Sequence, residues 1–144
     1  MPIGPRTTAD ELRAVLVDAG TELLVDALSR PLGTPEPQEG DVTYATKIES
    51  FELEVDWTSP AVIIDRWVRV GGAWTTFRRR RLKVLVSEPT AGDGEPGAIG
   101  ADGVVATGEG GLRLVTVQPE GKAAMPWSAF ANGARPEPLE RLGQ

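Results

Sequence analysis

Four consecutive arginines, Arg78 to Arg81, stand in a chain whose formal net charge is −6. Guanidinium groups offer fixed forks of donors suited to phosphate and carboxylate, and a concentration of them is worth keeping where a polyanion is the partner. Arg66, Arg69 and Lys83 extend the cluster, and no acidic residue falls between positions 66 and 83, so seven positive charges accumulate there unopposed. The rest of the charge is segregated around them. Residues 1–46 hold three basic and eight acidic side chains, residues 47–83 eight and five, and residues 84–144 four and eight. A strand edge carrying charge against aggregation is the plainer explanation, but four adjacent like charges repel one another without an anionic partner.

Other chemistry is narrowed by what the composition lacks. The chain has no cysteine and no histidine, which removes thiol catalysis, disulfides, thiolate metal sites and the commonest general base. The acidic stretch "ESFELEVD" offers Glu52 and Glu54 as paired carboxylates, yet they alternate on an exposed pattern with no second cluster to complete a site. "GEGG" at 108–111 reads as a turn between two strands; a dinucleotide-binding loop would open a helix there. Trp57, Trp67, Trp74 and Trp127 could stack bases, but each sits beside aliphatic residues, where packing is the expected role.

The elements that must position these groups follow from periodicity. "TTADELRAVLVDAGTELLVDAL" reads as an amphipathic helix, opened by a capping box of Thr8 and Glu11 and carrying a stripe from Leu12 to Leu28, with Gly20 as a point of kinking. "SRPLGTPEPQEGD" reads as an extended linker. "SPAVIIDRWVRV" reads as a second helix with Ser59 as N-cap and Pro60 at its first position; Ile63, Ile64 and Trp67 can face a core, and Arg66 and Arg69 share a side open to solvent or ligand. From residue 73 the period becomes two. In "RLKVLVSEP", Leu82, Val84 and Val86 alternate with Arg81, Lys83 and Leu85, so Arg79, Arg81 and Lys83 should form one outward row, with Arg78 and Arg80 at the rim. Strands are expected near 103–107 and 112–118, a short helix near 126–132, and a polar tail after it. Short strands with glycine turns suggest a small closed barrel.

Three segments, "TYATKIESFELEVDW" (43–57), "GAWT" (72–75) and "GVVATGEGGLRLVTVQPEGKAAM" (103–125), resemble the C-terminal part of methionyl-tRNA formyltransferases, and "PIGPRTTADELRAVLVDAGTELLVDAL" resembles the last helix of that family's catalytic domain. The resemblance implies a mainly β fold with α: an OB-like Greek-key β-barrel preceded by an amphipathic helix and an extended linker. Its divisions would be residues 1–30 as the helix, 31–46 as the Pro/Gly-rich linker and 47–144 as a tRNA-binding domain. It further implies a cytoplasmic enzyme that moves a formyl group from 10-formyltetrahydrofolate, its co-substrate, to initiator methionyl-tRNA. The family's catalytic asparagine, histidine and aspartate and its folate segment lie upstream of everything in this chain, so the chain would begin inside the enzyme, hold no cofactor and be inactive alone. Lys47, Arg66, Arg69, Arg78, Arg79, Arg80, Arg81, Lys83 and Lys122 are then the candidates for the tRNA backbone.

Two departures qualify the match. The family's longer Asn/Pro segment before "GAW" is missing from "RVGGAWTTF", and four arginines in a row are not a family hallmark. Two alternatives stay open, the C-terminal domain of a folate-dependent sugar-nucleotide formyltransferase and a free-standing protein-interaction module. No run of apolar residues is long enough to span a membrane, and the N-terminus has no signal-peptide pattern. Without a catalytic domain to cover it, the helix stripe is expected to drive self-association.

Overall fold

The computed structural model describes residues 2–31, 33–100, 102–138 and 140–144; Leu32 of the expected linker and Leu139 of the expected tail lie outside them. The chain divides into two units, Met1–Ile48 and Glu49–Gln144. Among the described residues the first contains one helix, α1 (Ala9–Leu28). Its start follows the sequence closely: the Thr8 Oγ1 accepts from the Glu11 amide at 3.2 Å, and the Glu11 carboxylate accepts from the Thr8 amide at 2.9 Å. Two of the amides that a helix start leaves unpaired are thereby satisfied. The helix runs unbroken through Gly20 and buries none of its residues. Residues 33–48 have no regular secondary structure.

The second unit is mainly β with helices. Its elements are α2 (Ala61–Val70), β1 (Trp74–Phe77), β2 (Arg80–Thr90), β3 (Val104–Ala106), β4 (Gly111–Pro119), β5 (Met125–Pro126) and α3 (Trp127–Ala134). The strands form one curled antiparallel sheet in the order β1-β2-β4-β3, with β5 also on β4. Leu82, Val84, Val105, Leu112 and Val117 are almost wholly buried inside the curl, and Ile64 and Val68 of α2 with Trp127 of α3 join the same core. The turn 107–110 sits where the glycines require it. The Gly108 amide donates to the Trp57 and Ser59 carbonyls, and a Cβ at Gly108 would lie 1.7 Å from the Thr58 oxygen.

The open side of the curl is bridged by irregular main chain. The Gly97 amide donates to the Ala106 carbonyl of β3, the Leu142 amide to the Gly97 carbonyl, and the Gly143 amide to the Thr76 carbonyl of β1. The tail is therefore part of the fold. Leu142, in a segment that reads as polar, is 3% exposed and belongs to the core. One apolar residue among charged neighbours carries no periodic signal, and main-chain pairing supplies the rest.

Three further expectations are corrected. Ser59 does not cap α2: its hydroxyl donates to Asp56 at 3.2 Å, Pro60 takes the cap position, and the Ala61 amide donates to the Glu109 carbonyl. Trp67 is 40% exposed, while Asp65 turns inward in its place. Val86 is also exposed, because the β2–β4 register shifts on both sides of it and the inward phase passes to Ser87.

Candidate nucleic-acid interface

The arginine run does not lie within one strand. β1 and β2 form a hairpin with Phe77 opposite Arg80, so Arg78 and Arg79 are the two residues of the turn. Both have positive φ, 50° and 64°, as a tight hairpin turn demands of its central pair. Strand alternation therefore begins only at Arg80, and the expected row of Arg79, Arg81 and Lys83 is divided: Arg79 projects from the turn, while Arg81 and Lys83 share the outward face of β2.

On that face Arg81 is held by two residues that are themselves joined. Its Cζ lies 4.1 Å from the centre of the Trp74 ring, its Nη2 donates to the Ser50 Oγ at 3.0 Å, and the Trp74 indole N–H donates to the Ser50 carbonyl at 2.8 Å. Cation–π stacking of this kind fixes the guanidinium plane while leaving its charge intact. The Arg81 Nε is buried without a hydrogen-bond partner. Lys83 is exposed and pairs in register with Trp74 on one side and Gln118 on the other. The Gln118 side chain donates to the Lys122 carbonyl at 3.0 Å, and the Glu120 amide donates to the Arg81 carbonyl at 3.0 Å, so the β4–β5 turn brings exposed Lys122 beside β2. Arg81 and Lys83 form the basic row of this face, with exposed Lys122 and Glu120 on the neighbouring turn, while exposed Arg80, in phase with Leu82 and Val84, stands at the strand's start.

Arg78 is committed elsewhere. Its Nε and Nη2 donate to the two oxygens of Glu140 at 2.6 and 2.9 Å, its Nη1 donates to the Ala134 carbonyl at 3.2 Å, and its Cζ lies 4.8 Å from the Phe77 ring centre. The Arg78 hydrogen bond pulls the Glu140 carboxyl below the usual carboxylate range. Arg69 is likewise occupied: its Nε donates to Asp65 at 3.1 Å, and Asp65, 4% exposed, accepts the Ser87 hydroxyl at 2.9 Å. The expected shared face of Arg66 and Arg69 is thus split, with Arg66 exposed and Arg69 neutralised. The Asp65–Arg69 spacing of four was the available signal for that pair. Ser87 lies four residues along β2 from Lys83, about 13 Å at the rise of a strand, so Arg66 and Arg69 stand apart from the row.

Lys47 belongs to the first unit, on exposed irregular chain. Of the tryptophans, Trp57 and Trp127 pack in the core, Trp74 supports Arg81, and Trp67 is exposed. The supporting residue Ser50 carries no sequence signal, because its contacts with Trp74 and Arg81 join positions 24 and 31 residues apart in the chain. Among the described residues no group of acidic side chains could hold a metal ion, and no helix is long and apolar enough to cross a membrane.

The fold and the sequence have known relatives. The chain resembles crystal structures of HypX from Aquifex aeolicus: a multiple variant with a TM-score of 0.70 at 16% identity, covering 93% of this chain and 26% of that one, and a form bound to tetrahydrofolic acid with a TM-score of 0.64 at 14% identity, covering 91% and 26%. At such identities the likeness concerns the fold alone. Sequence similarity is higher to proteins named methionyl-tRNA formyltransferase: 43% identity for that of Ruegeria pomeroyi, covering 92% of this chain and 46% of the relative, and 41% for those of Thermobifida fusca and Thermus thermophilus, each covering 99% and 50%. The chain spans about half the length of these curated relatives. Residues 47–135, which carry β1 to β5 and the basic row, match the family described as formyl transferase, C-terminal domain, and the chain belongs to that family.

Proposed function

We propose that this chain is the RNA-holding portion of a methionyl-tRNA formyltransferase, and that Arg79, Arg80, Arg81, Lys83 and Lys122 contact the backbone of initiator methionyl-tRNA. The observation that carries the reading is the stacking of Arg81 on Trp74 beside exposed Lys83, a cation held in place on a face that gathers further cations. Phosphate contacts need charge at the right spacing and no base readout, so an acidic protein can supply them from one row. Arg66 adds a peripheral charge, and Lys47, on the first unit, adds a contact of its own. Arg69 and Arg78 contribute little, since each already has a carboxylate partner.

The relatives' names support the substrate, and the absence of histidine supports a division of labour. Here the co-substrate 10-formyltetrahydrofolate and the formyl transfer itself belong to the enzyme's other portion, and this chain alone transfers no formyl group in the cytoplasm where translation starts. The test is the salt dependence of binding to initiator tRNA. The double variant Arg79→Glu, Lys83→Glu should bind more weakly and flatten the slope of log affinity against log salt by about 0.7–0.9 for each phosphate no longer neutralised. The same change at Arg6 and Arg13 should leave the slope unaltered. Equal slopes for wild type and the Arg79, Lys83 variant would reduce the row to a solubility device.

A further inference from the structure

The arginine turn is an unusual use of a hairpin. Two-residue turns with positive φ at both positions favour Asn-Gly, because a side chain with a Cβ is strained in the left-handed region. Here both positions are arginine, with φ of 50° and 64°. Non-glycine residues persist in such conformations where surrounding structure holds them.

Besides the Ala134 carbonyl of α3, which accepts from Arg78, the holding contacts come from the tail. Glu140 accepts both forks of Arg78, at 2.6 and 2.9 Å, while a further hydrogen bond from the Glu137 amide at 3.0 Å fixes the carboxylate. The Arg79 amide donates to the Gln144 carbonyl at 3.2 Å, and the Thr76 hydroxyl donates to the same oxygen at 3.1 Å. The segment making these contacts is itself anchored by buried Leu142 and by the Gly143 amide on the Thr76 carbonyl. All of it lies beyond residues 47–135, the stretch matched by the family.

We propose that Glu140 is a positioning residue that locks the arginine turn, so that Arg79 and Arg80 leave the protein from fixed main chain. The lock does not depend on what the arginines bind; its consequence for RNA rests on the function proposed above. A negative charge near a polyanion site would ordinarily weaken binding, so removing it should strengthen binding. A lock makes the opposite claim. Loss of Glu140 frees the turn, and the two cations must then be ordered at the moment of contact.

Two measurements on the full chain separate these. Trypsin cuts after arginine and needs main chain that can open, so the Glu140→Gln variant should be cut after Arg79 and Arg80 about threefold faster or more, as loss of an exposed ion pair at a local opening implies. Cleavage after Arg113, within β4, is the control for global unfolding and should not change. The charge-swapped variant Arg78→Glu, Glu140→Arg should restore resistance. Unchanged cleavage in Glu140→Gln, or equal acceleration at Arg113, overturns the lock. In the second measurement, Glu140→Gln should bind initiator tRNA more weakly than wild type despite its extra net positive charge. Tighter binding shows that the turn's order does not matter to the RNA and overturns the positioning role. If wild type binds no RNA, the proposed function fails and the cleavage pattern alone decides the lock.

Discussion

The Ser87 hydroxyl donates to the Asp65 carboxylate at 2.9 Å, joining the inward face of α2 to β2 just past the register shift. Asp65 also receives Arg69, so one buried carboxylate serves a hydroxyl and a guanidinium. Removing one member of such an arrangement leaves the others desolvated. Asp65→Ala should lower the unfolding free energy by roughly 2–4 kcal/mol, read from urea denaturation. A change within experimental scatter would mean that water replaces the carboxylate.

Gly108 meets the Thr58 oxygen where a Cβ would lie 1.7 Å away. No rotamer relieves that overlap, because both atoms are fixed by the main chain. Gly108→Ala should cost roughly 3 kcal/mol or prevent folding, whereas Gly121→Ser, at a turn with open space, should cost only its backbone strain of about 1 kcal/mol. Thermal melts of the two variants rank them.

Acid should loosen the lock between Arg78 and Glu140. The Glu140 carboxyl is lowered chiefly by the Arg78 hydrogen bond, and the Asp56 carboxyl chiefly by the Thr58 hydroxyl. A group with a depressed folded-state value contributes stability that is complete above its unfolded value and is lost as pH falls through the folded one. Stability should therefore be flat from neutrality down to the ordinary carboxylate range and decline below it. Carboxyl carbon titration by NMR should place both groups below their ordinary values, and Glu140→Gln should remove its share of the acid decline.

Arg81 and Lys83 carry the same charge on the same face but should not be interchangeable. Lysine at 81 keeps the charge and forfeits the planar stack on Trp74 and the hydrogen bond to Ser50. Arg81→Lys should weaken tRNA binding several-fold, on the order of 1 kcal/mol for a stacked cation, while Lys83→Arg should be neutral. Equal effects at the two positions would show that charge alone matters.

The exposed apolar residues of α1, among them Leu16, Leu23, Leu24 and Leu28, predict association between copies. Each such side chain gains roughly 1.5–3 kcal/mol when fully covered, so light scattering should show mass rising with concentration. Leu23→Glu with Leu24→Glu should return the chain to monomer.

Local pattern was enough for several elements. The capping box of Thr8 and Glu11, the helix that follows it, β4 and the glycine turn before it all depend on neighbours in sequence, and periodicity and turn chemistry report such neighbours directly. Family membership was also legible, since the quoted motifs survive in order along the chain. The seven-charge concentration between Arg66 and Lys83 was visible as composition. Which of those cations remain available was not. Glu140 claims Arg78 across 62 residues, and buried Asp65 claims Arg69 while pinning Ser87. Ser50 and Trp74 together fix Arg81. The bulges that turn Val86 outward, and the closure that draws Leu142 into the core, arise from register between distant strands. Such choices are made by the packing of one core, where a side chain is satisfied by whichever partner the closed sheet brings within reach, and no short window of sequence contains both partners.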